Sequence, residues 1–168
     1  MRIIKLGLIS AVVFFVMITG FSLFIPSHIR LSKAVDINAP NDSILHELSD
    51  PENWKRWYPG ADSGQLYIID GKIKGVTTGA DQALIITSVT DSGVTTENVG
   101  KAAKRGTSGW NLYKAATPNT ITVQWYMDFH LRWYPWEKFS SLLLEKRYGP
   151  VMEKGLERLK ARFTQPAL

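Results

Sequence analysis

The chain contains no cysteine. Disulfides, thiolate zinc sites and cysteine nucleophiles are thereby excluded. Histidine is scarce: His28, His46 and His130 are the whole set in 168 residues. No two of them have metal-ligand spacing on one element, so each reads as a surface or structural group. A Gly-x-Ser-x-Gly elbow and a phosphate-binding loop are both missing. There is no internal repeat and no low-complexity tract. Acidic residues are missing from the first 35 positions, and all 15 lie further on. Nothing in these patterns implies a metal or a cofactor.

The formal net charge is +5, and Arg2 and Lys5 supply part of it. The remainder has only a weak positive bias. Nucleic-acid binding would need a concentrated basic patch interleaved with stacking aromatics. The densest basic cluster, Lys101, Lys104 and Arg105, reads as a solvated turn, so no nucleic-acid partner is expected. With 45% hydrophobic and 21% charged residues, the composition is that of a folded globular domain plus an appendage.

That appendage is residues 6–25, a run with no charged side chain. As a helix it spans roughly 30 Å, the thickness of a bilayer's hydrocarbon core. A cleaved signal has a shorter apolar stretch and a small-x-small site after it. The run instead continues through Gly20-Phe21-Ser22-Leu23-Phe24-Ile25 to Pro26. A retained single-pass anchor is therefore expected. Its short basic N-terminus suggests a signal-anchor arrangement, with the rest of the chain facing away from the cytoplasm. The expected organisation is a basic N-terminus (1–5), an anchor (6–25), a linker (26–33), a domain (34–163) and a tail (164–168).

Within the domain, residues 121–133 alternate strictly. Ile121, Val123, Trp125, Met127, Phe129, Leu131 and Trp133 are apolar, and most residues between them are polar. This predicts a half-buried antiparallel strand. At about 3.3 Å per residue it would be roughly 43 Å long, so it must twist and coil. Earlier, Ser32–Asn38 alternates and ends at Ala39-Pro40. Asn41 opens a short helix with Ile44, Leu45 and Leu48 inward. Asp50-Pro51 opens a second, carrying Trp54 and Trp57 on one face. Strands follow at 65–69, 72–77, 83–89, 94–99 and 110–115, with hairpin signals at Asp70-Gly71 and Asp91-Ser92-Gly93. Beyond Pro135 the period becomes helical through Phe139, Leu142, Leu143, Met152, Leu156, Leu159 and Phe163. Gly149-Pro150 predicts a break or kink there, and Gly155 on the apolar stripe predicts a packing reason for a glycine.

These elements predict an α+β fold. A curved antiparallel sheet of five or six strands wraps a long C-terminal helix, and two short helices follow the first strand. One helix is about 10 Å wide, narrower than five strands spaced about 4.8 Å apart. Large side chains or a ligand must fill the difference. Trp110, Trp125, Phe129, Trp133, Trp57 and Phe139 are the candidates for filling it. The expected ligand-facing set is Trp57, Tyr67, Trp110, Trp125, Met127, Phe129, Phe139, Leu143, Met152 and Leu156.

The run Val35-Asp-Ile-Asn-Ala-Pro40, the segment Leu48-Ser-Asp-Pro-Glu-Asn-Trp54 and Trp57 resemble the opening of the START-like (SRPBCC, polyketide cyclase/dehydrase) superfamily. The closing helix with Gly155-Leu156-Glu157-Arg158-Leu159-Lys160 is similar too. The resemblance covers residues 33–163. It implies a helix-grip fold with a hydrophobic cavity between sheet and helix, and a lipid, sterol, polyketide or hormone as ligand. The first functional expectation is a membrane-anchored binding module for a hydrophobic small molecule or lipid. The alternative is a cyclase or dehydratase in the same cavity, with Tyr67, Tyr126, Asp81 or Glu97 directed inward. A third, an interaction module acting through its exterior, ranks last, because Lys154, Glu157, Arg158 and Arg162 look like a solvated helix face.

Overall fold

The structure is a computed structural model describing residues 2–62, 64–79, 81–100 and 106–164. The Lys101–Arg105 basic cluster lies outside the described residues, as do positions 165–168 of the expected tail. Among the described residues, seven strands form one antiparallel sheet. They are β1 (His28–Ile37), β2 (Leu66–Ile69), β3 (Lys72–Gly79), β4 (Gln82–Thr90), β5 (Gly93–Val99), β6 (Thr107–Lys114) and β7 (Ile121–His130), in the order β1-β7-β6-β5-β4-β3-β2. The meander β2–β7 accounts for six. The seventh is β1, which pairs with β7 and places Val35 opposite Val123 and Ile37 opposite Ile121.

β1 begins at His28, inside the segment expected to be a linker, because β7 offers it partners down to His130. Strand β7 in turn stops after ten residues, not thirteen. One more rung forms, from the Leu131 amide to the Ser27 carbonyl at 2.7 Å. There β1 has no further residues to offer, and Pro135 opens a helix. Trp133, expected in the core, is consequently exposed. At the β2–β3 hairpin Asp70 and Gly71 have φ of 51° and 74°, the backbone that a two-residue primed turn demands.

Helix α1 (Arg2–Ser22) is the apolar N-terminal run. Helix α2 (Asn41–Ser49) buries Ile44 and Leu48. Pro40, not Asn41, occupies its N-cap, and the Asn41 side-chain amide instead donates to the Asp91 carbonyl at 3.0 Å. Helix α3 (Pro51–Trp57) starts as predicted, with the Asp50 carboxylate accepting from the Glu52 amide at 2.9 Å. The C-terminal part is α4 (Pro135–Ser141) and α5 (Leu144–Thr164). The break falls at Leu142–Leu143 and not at Gly149-Pro150, and Pro150 lies inside α5. The two helices have different partners, which explains the place of the elbow: α4 packs on α1, and α5 packs on β1 and β7.

Ion pairs fasten α5 in place. Lys33 reaches Glu145 (2.7 Å) and Glu153 (2.9 Å), Arg162 reaches Glu47 (3.1 Å) and Arg158 reaches Asp62 (3.6 Å). The helix face expected to be merely solvated is thus partly engaged. Met152, Leu156 and Leu159 are its buried stripe. A Cβ on Gly155 would lie 2.7 Å from Trp125 Cζ3 and 2.8 Å from Pro59 Cδ. Only a glycine lets those two rings lie flush against the helix backbone.

Candidate functional site

The sheet's concave face and α5 enclose a region with two unlike ends. Directly opposed residues of an antiparallel pair share a face. Register therefore puts Trp125, Met127 and Phe129 of β7 on the same side as Ile29, Leu31 and Lys33 of β1, and as Ser108 and Trp110 of β6. At one end the aromatics close on each other. Trp110 lies 5.4 Å from both Trp54 and Trp57, and 5.7 Å from Trp125, between ring centroids. Tyr58 lies 5.2 Å from Trp125. The four tryptophans are fully buried. Burial also raises the Tyr58 phenol above its ordinary pKa, because the charged form would lose its hydration.

Two of these indoles are satisfied. Trp54 Nε1 donates to the Leu48 carbonyl at 2.8 Å, and Trp125 Nε1 donates to Ser108 Oγ at 3.0 Å. Ser108 donates its own proton to the Tyr126 carbonyl. The other two are not satisfied: Trp57 Nε1 and Trp110 Nε1 are buried without an acceptor. A buried donor without a partner costs about 1–3 kcal/mol, and native interiors rarely hold a pair so close together.

The opposite end is looser. Met127, Phe129 and Tyr148 are only partly buried, and Phe129 and Tyr148 pack ring to ring at 5.3 Å. The expected ligand-facing residues therefore divide by position. Trp57, Trp110, Trp125, Met152 and Leu156 lie in the fully buried end, and Met127 and Phe129 in the less buried end. Phe139 and Leu143 are exposed on α4 and the elbow, away from the hollow. Tyr67 falls on the opposite face of β2 from Leu66, since neighbouring strand residues point opposite ways, and Leu66 faces the fully buried Val76. Tyr58, Ser108 and Tyr148 were not expected in the site. Ser108 precedes the stretch predicted as a strand, whereas Tyr148, four residues before Met152, and Tyr58, four after Trp54, stand at helical spacing that could have marked them.

Polar chemistry gathers on the convex face. Asp128, nearly buried, accepts two hydrogen bonds from Arg30, at 2.8 and 2.6 Å. Arg30 also lies over the Tyr126 ring at 4.7 Å. His28 Nε2 is 3.3 Å from Asp128, and the rings of His28 and His130 stack at 4.7 Å. The Arg30 hydrogen bonds hold the Asp128 carboxyl below its ordinary pKa. Tyr126 and Glu97 share this outer side, and Asp81 is exposed in the turn before β4. Among the described residues no cluster of His, Asp and Glu has the arrangement of a metal site.

Comparisons with known proteins agree with this architecture. A START superfamily protein from Mycobacterium smegmatis superposes with a TM-score of 0.62 at 16% identity, covering 81% of this chain and 97% of that one. A protein from Nitrosospira multiformis gives 0.61 at 11% identity, covering 82% and 97%. The Aha1 dimer from Colwellia psychrerythraea gives 0.54 at 15%, covering 80% and 96%. At such identities the likeness is one of fold. The comparison with curated proteins finds no match. A family model described as polyketide cyclase / dehydrase and lipid transport matches residues 28–164, the whole of the sheet with all the helices that follow β1. The chain belongs to that polyketide cyclase / dehydrase and lipid transport family.

Proposed function

We propose that the domain binds a hydrophobic small molecule or lipid between the concave face and α5, with α1 holding it at a membrane as a single-pass anchor. The domain then faces away from the cytoplasm. The observation that carries the binding reading is the pair of acceptorless indoles, Trp57 and Trp110, inside an otherwise apolar cluster. A ligand with an apolar body and one carbonyl or hydroxyl oxygen satisfies both requirements of that environment. Its body would lie along Met127 and Phe129, which are only partly buried where they pack against the core. Helix α1 is long and apolar enough to cross a membrane. Anchors and signal sequences share that form, and the uncharged continuation through Ile25 favours the anchor.

A cyclase or dehydratase reading finds less support. Of its expected inward groups, Tyr67, Tyr126 and Glu97 fall on the other face and Asp81 is exposed. The concave hydroxyls of Thr96 and Ser108 already donate to backbone carbonyls. The test is native mass spectrometry of the full chain released from mild detergent. A stoichiometric apolar adduct is expected. A chain that flies without one, and that takes up none when offered total lipid extract, refutes the binding reading.

A further inference from the structure

Helix α4 is pinned to the point where the chain leaves α1. Lys138, itself buried, donates to the Ile25 carbonyl at 2.5 Å and to Ser27 Oγ at 2.8 Å. Whatever medium surrounds the end of α1 therefore also meets α4 and the elbow after it. The side chains displayed there are not those of a water-facing surface. Trp133 and Trp136 are each 61% exposed, Leu142 is 67% exposed and Leu143 is 63% exposed. Tyr134 lies between the two tryptophans, 4.8 Å from each, stacked on Trp136 and tilted against Trp133. Phe139 lies one helical turn from Trp136 on α4, and Leu143 follows in the elbow. Leu23 and Phe24, just past α1, are exposed as well.

Charge complements this patch. A cleft of about 410 Å³ at the elbow is lined by Ser140, Leu143, Leu144, Lys146 and Arg147. The neighbouring carboxylates are engaged elsewhere, Glu145 by Lys33 and Glu137 by Arg132. Tryptophan and tyrosine concentrate at the headgroup level of bilayers, and basic residues are drawn to anionic lipid phosphates. The patch also adjoins the less buried end of the concave face. Phe129 is the penultimate residue of β7, and Tyr148 follows Arg147 of the cleft directly.

We propose that α4 and the α4–α5 elbow dock on the lipid bilayer. The Trp133–Tyr134–Trp136 ring cluster lies among the headgroups, Leu142 and Leu143 reach the acyl boundary, and Lys146 and Arg147 receive a lipid phosphate. The less buried end of the concave face then faces the membrane, which makes a bilayer lipid the ligand that enters there. This rests on α1 being a retained anchor.

The absence of cysteine allows single-site labelling. Full-length chains carrying Val12→Cys, Leu143→Cys or Ser92→Cys are spin-labelled and reconstituted in vesicles of phosphatidylcholine with phosphatidylserine. Collision rates with oxygen and with a water-soluble nickel complex are then compared. The labels at positions 12 and 143 are expected to favour oxygen, and the label at 92, on the distant β4–β5 turn, to favour nickel. Adding Lys146→Glu with Arg147→Glu is expected to raise nickel access at 143 several-fold and leave position 12 unchanged. A water-like label at 143 beside a lipid-like label at 12 overturns the docking and leaves the anchor standing. Water-like labels at both positions overturn both. Shielding of 143 from oxygen and nickel alike indicates a protein cover and also overturns the proposal. No response to the double substitution removes the phosphate contact.

Discussion

Gly155 shows how little freedom single positions have beneath the sheet. Alanine there would improve helix propensity by about 1 kcal/mol. Its Cβ would also press on Trp125 and Pro59 at 2.7–2.8 Å, two rigid rings that cannot turn aside. Overpacking of this kind costs about 1–3 kcal/mol, so Gly155→Ala is expected to lower stability in urea denaturation despite the helical gain. Asp128 gives a pH signature. Arg30 lowers its pKa in the folded state, so its contribution is present above the unfolded value of about 3.9 and fades as pH falls through the lower folded value. Asp128→Asn is expected to cost roughly 1–2 kcal/mol near neutrality, since Arg30 is half in water and screened. The gap between wild type and variant should close on acidification, as followed by circular dichroism. A gap that persists below both pKa values would show that the side chain acts through packing. The packing role of Gly155 was readable from its place on the apolar stripe. The Arg30–Asp128 pair was not, because a convex strand face carries no periodic mark of which polar residues meet.

Among the elements, α5 illustrates how tertiary contacts override a local rule. Pro150 lacks the amide that would bond to the Lys146 carbonyl, and its ring crowds that carbonyl. The helix continues through it nonetheless, held by Lys33, which pairs with Glu145 before the irregularity and Glu153 after it, and by buried Met152, Leu156 and Leu159 beyond it. Replacing Pro150 with alanine restores the bond. Pro150→Ala is expected to stabilise the chain by roughly 1–2 kcal/mol, less than the full proline penalty because proline also restrains the unfolded chain. A lower urea midpoint would instead mean that the helix needs the proline's bend to follow the sheet. The element types themselves were legible: two-residue periodicity marked the strands, and the Asp50-Pro51 start marked α3. Strand ends were not legible, since β7 stops where β1 runs out and its own alternation does not.

For the molecule as a whole, the paired indoles separate a filled interior from a ligand site. Trp110→Phe removes an N–H that has no acceptor, whereas Trp54→Phe removes one that satisfies Leu48. Both variants lose similar ring volume. If a ligand oxygen meets Trp110, the Trp110→Phe variant is expected to retain at least about tenfold less adduct in native mass spectra, equivalent to about 1.4 kcal/mol. The Trp54→Phe variant should lose more thermal stability because the buried Leu48 carbonyl is left unmatched, but keep its adduct. Equal adduct retention in both would make the cluster a packed core, with its free indole protons directed at neighbouring ring faces.

Local pattern alone determined that the chain makes a two-faced curved sheet, a closing helix, two short helices before the meander and an apolar run of membrane-spanning length. Each of those is a periodicity or a composition within a few neighbouring residues. Tertiary structure decided which end of the concave face is fully buried and which only partly, where the C-terminal helix bends and which tryptophans reach water. It also brought Arg30 to Asp128 across 98 positions and Lys138 to Ile25 across 113. Such pairings follow from strand register and helix docking, which join segments far apart in the chain and leave no trace in the spacing of either one.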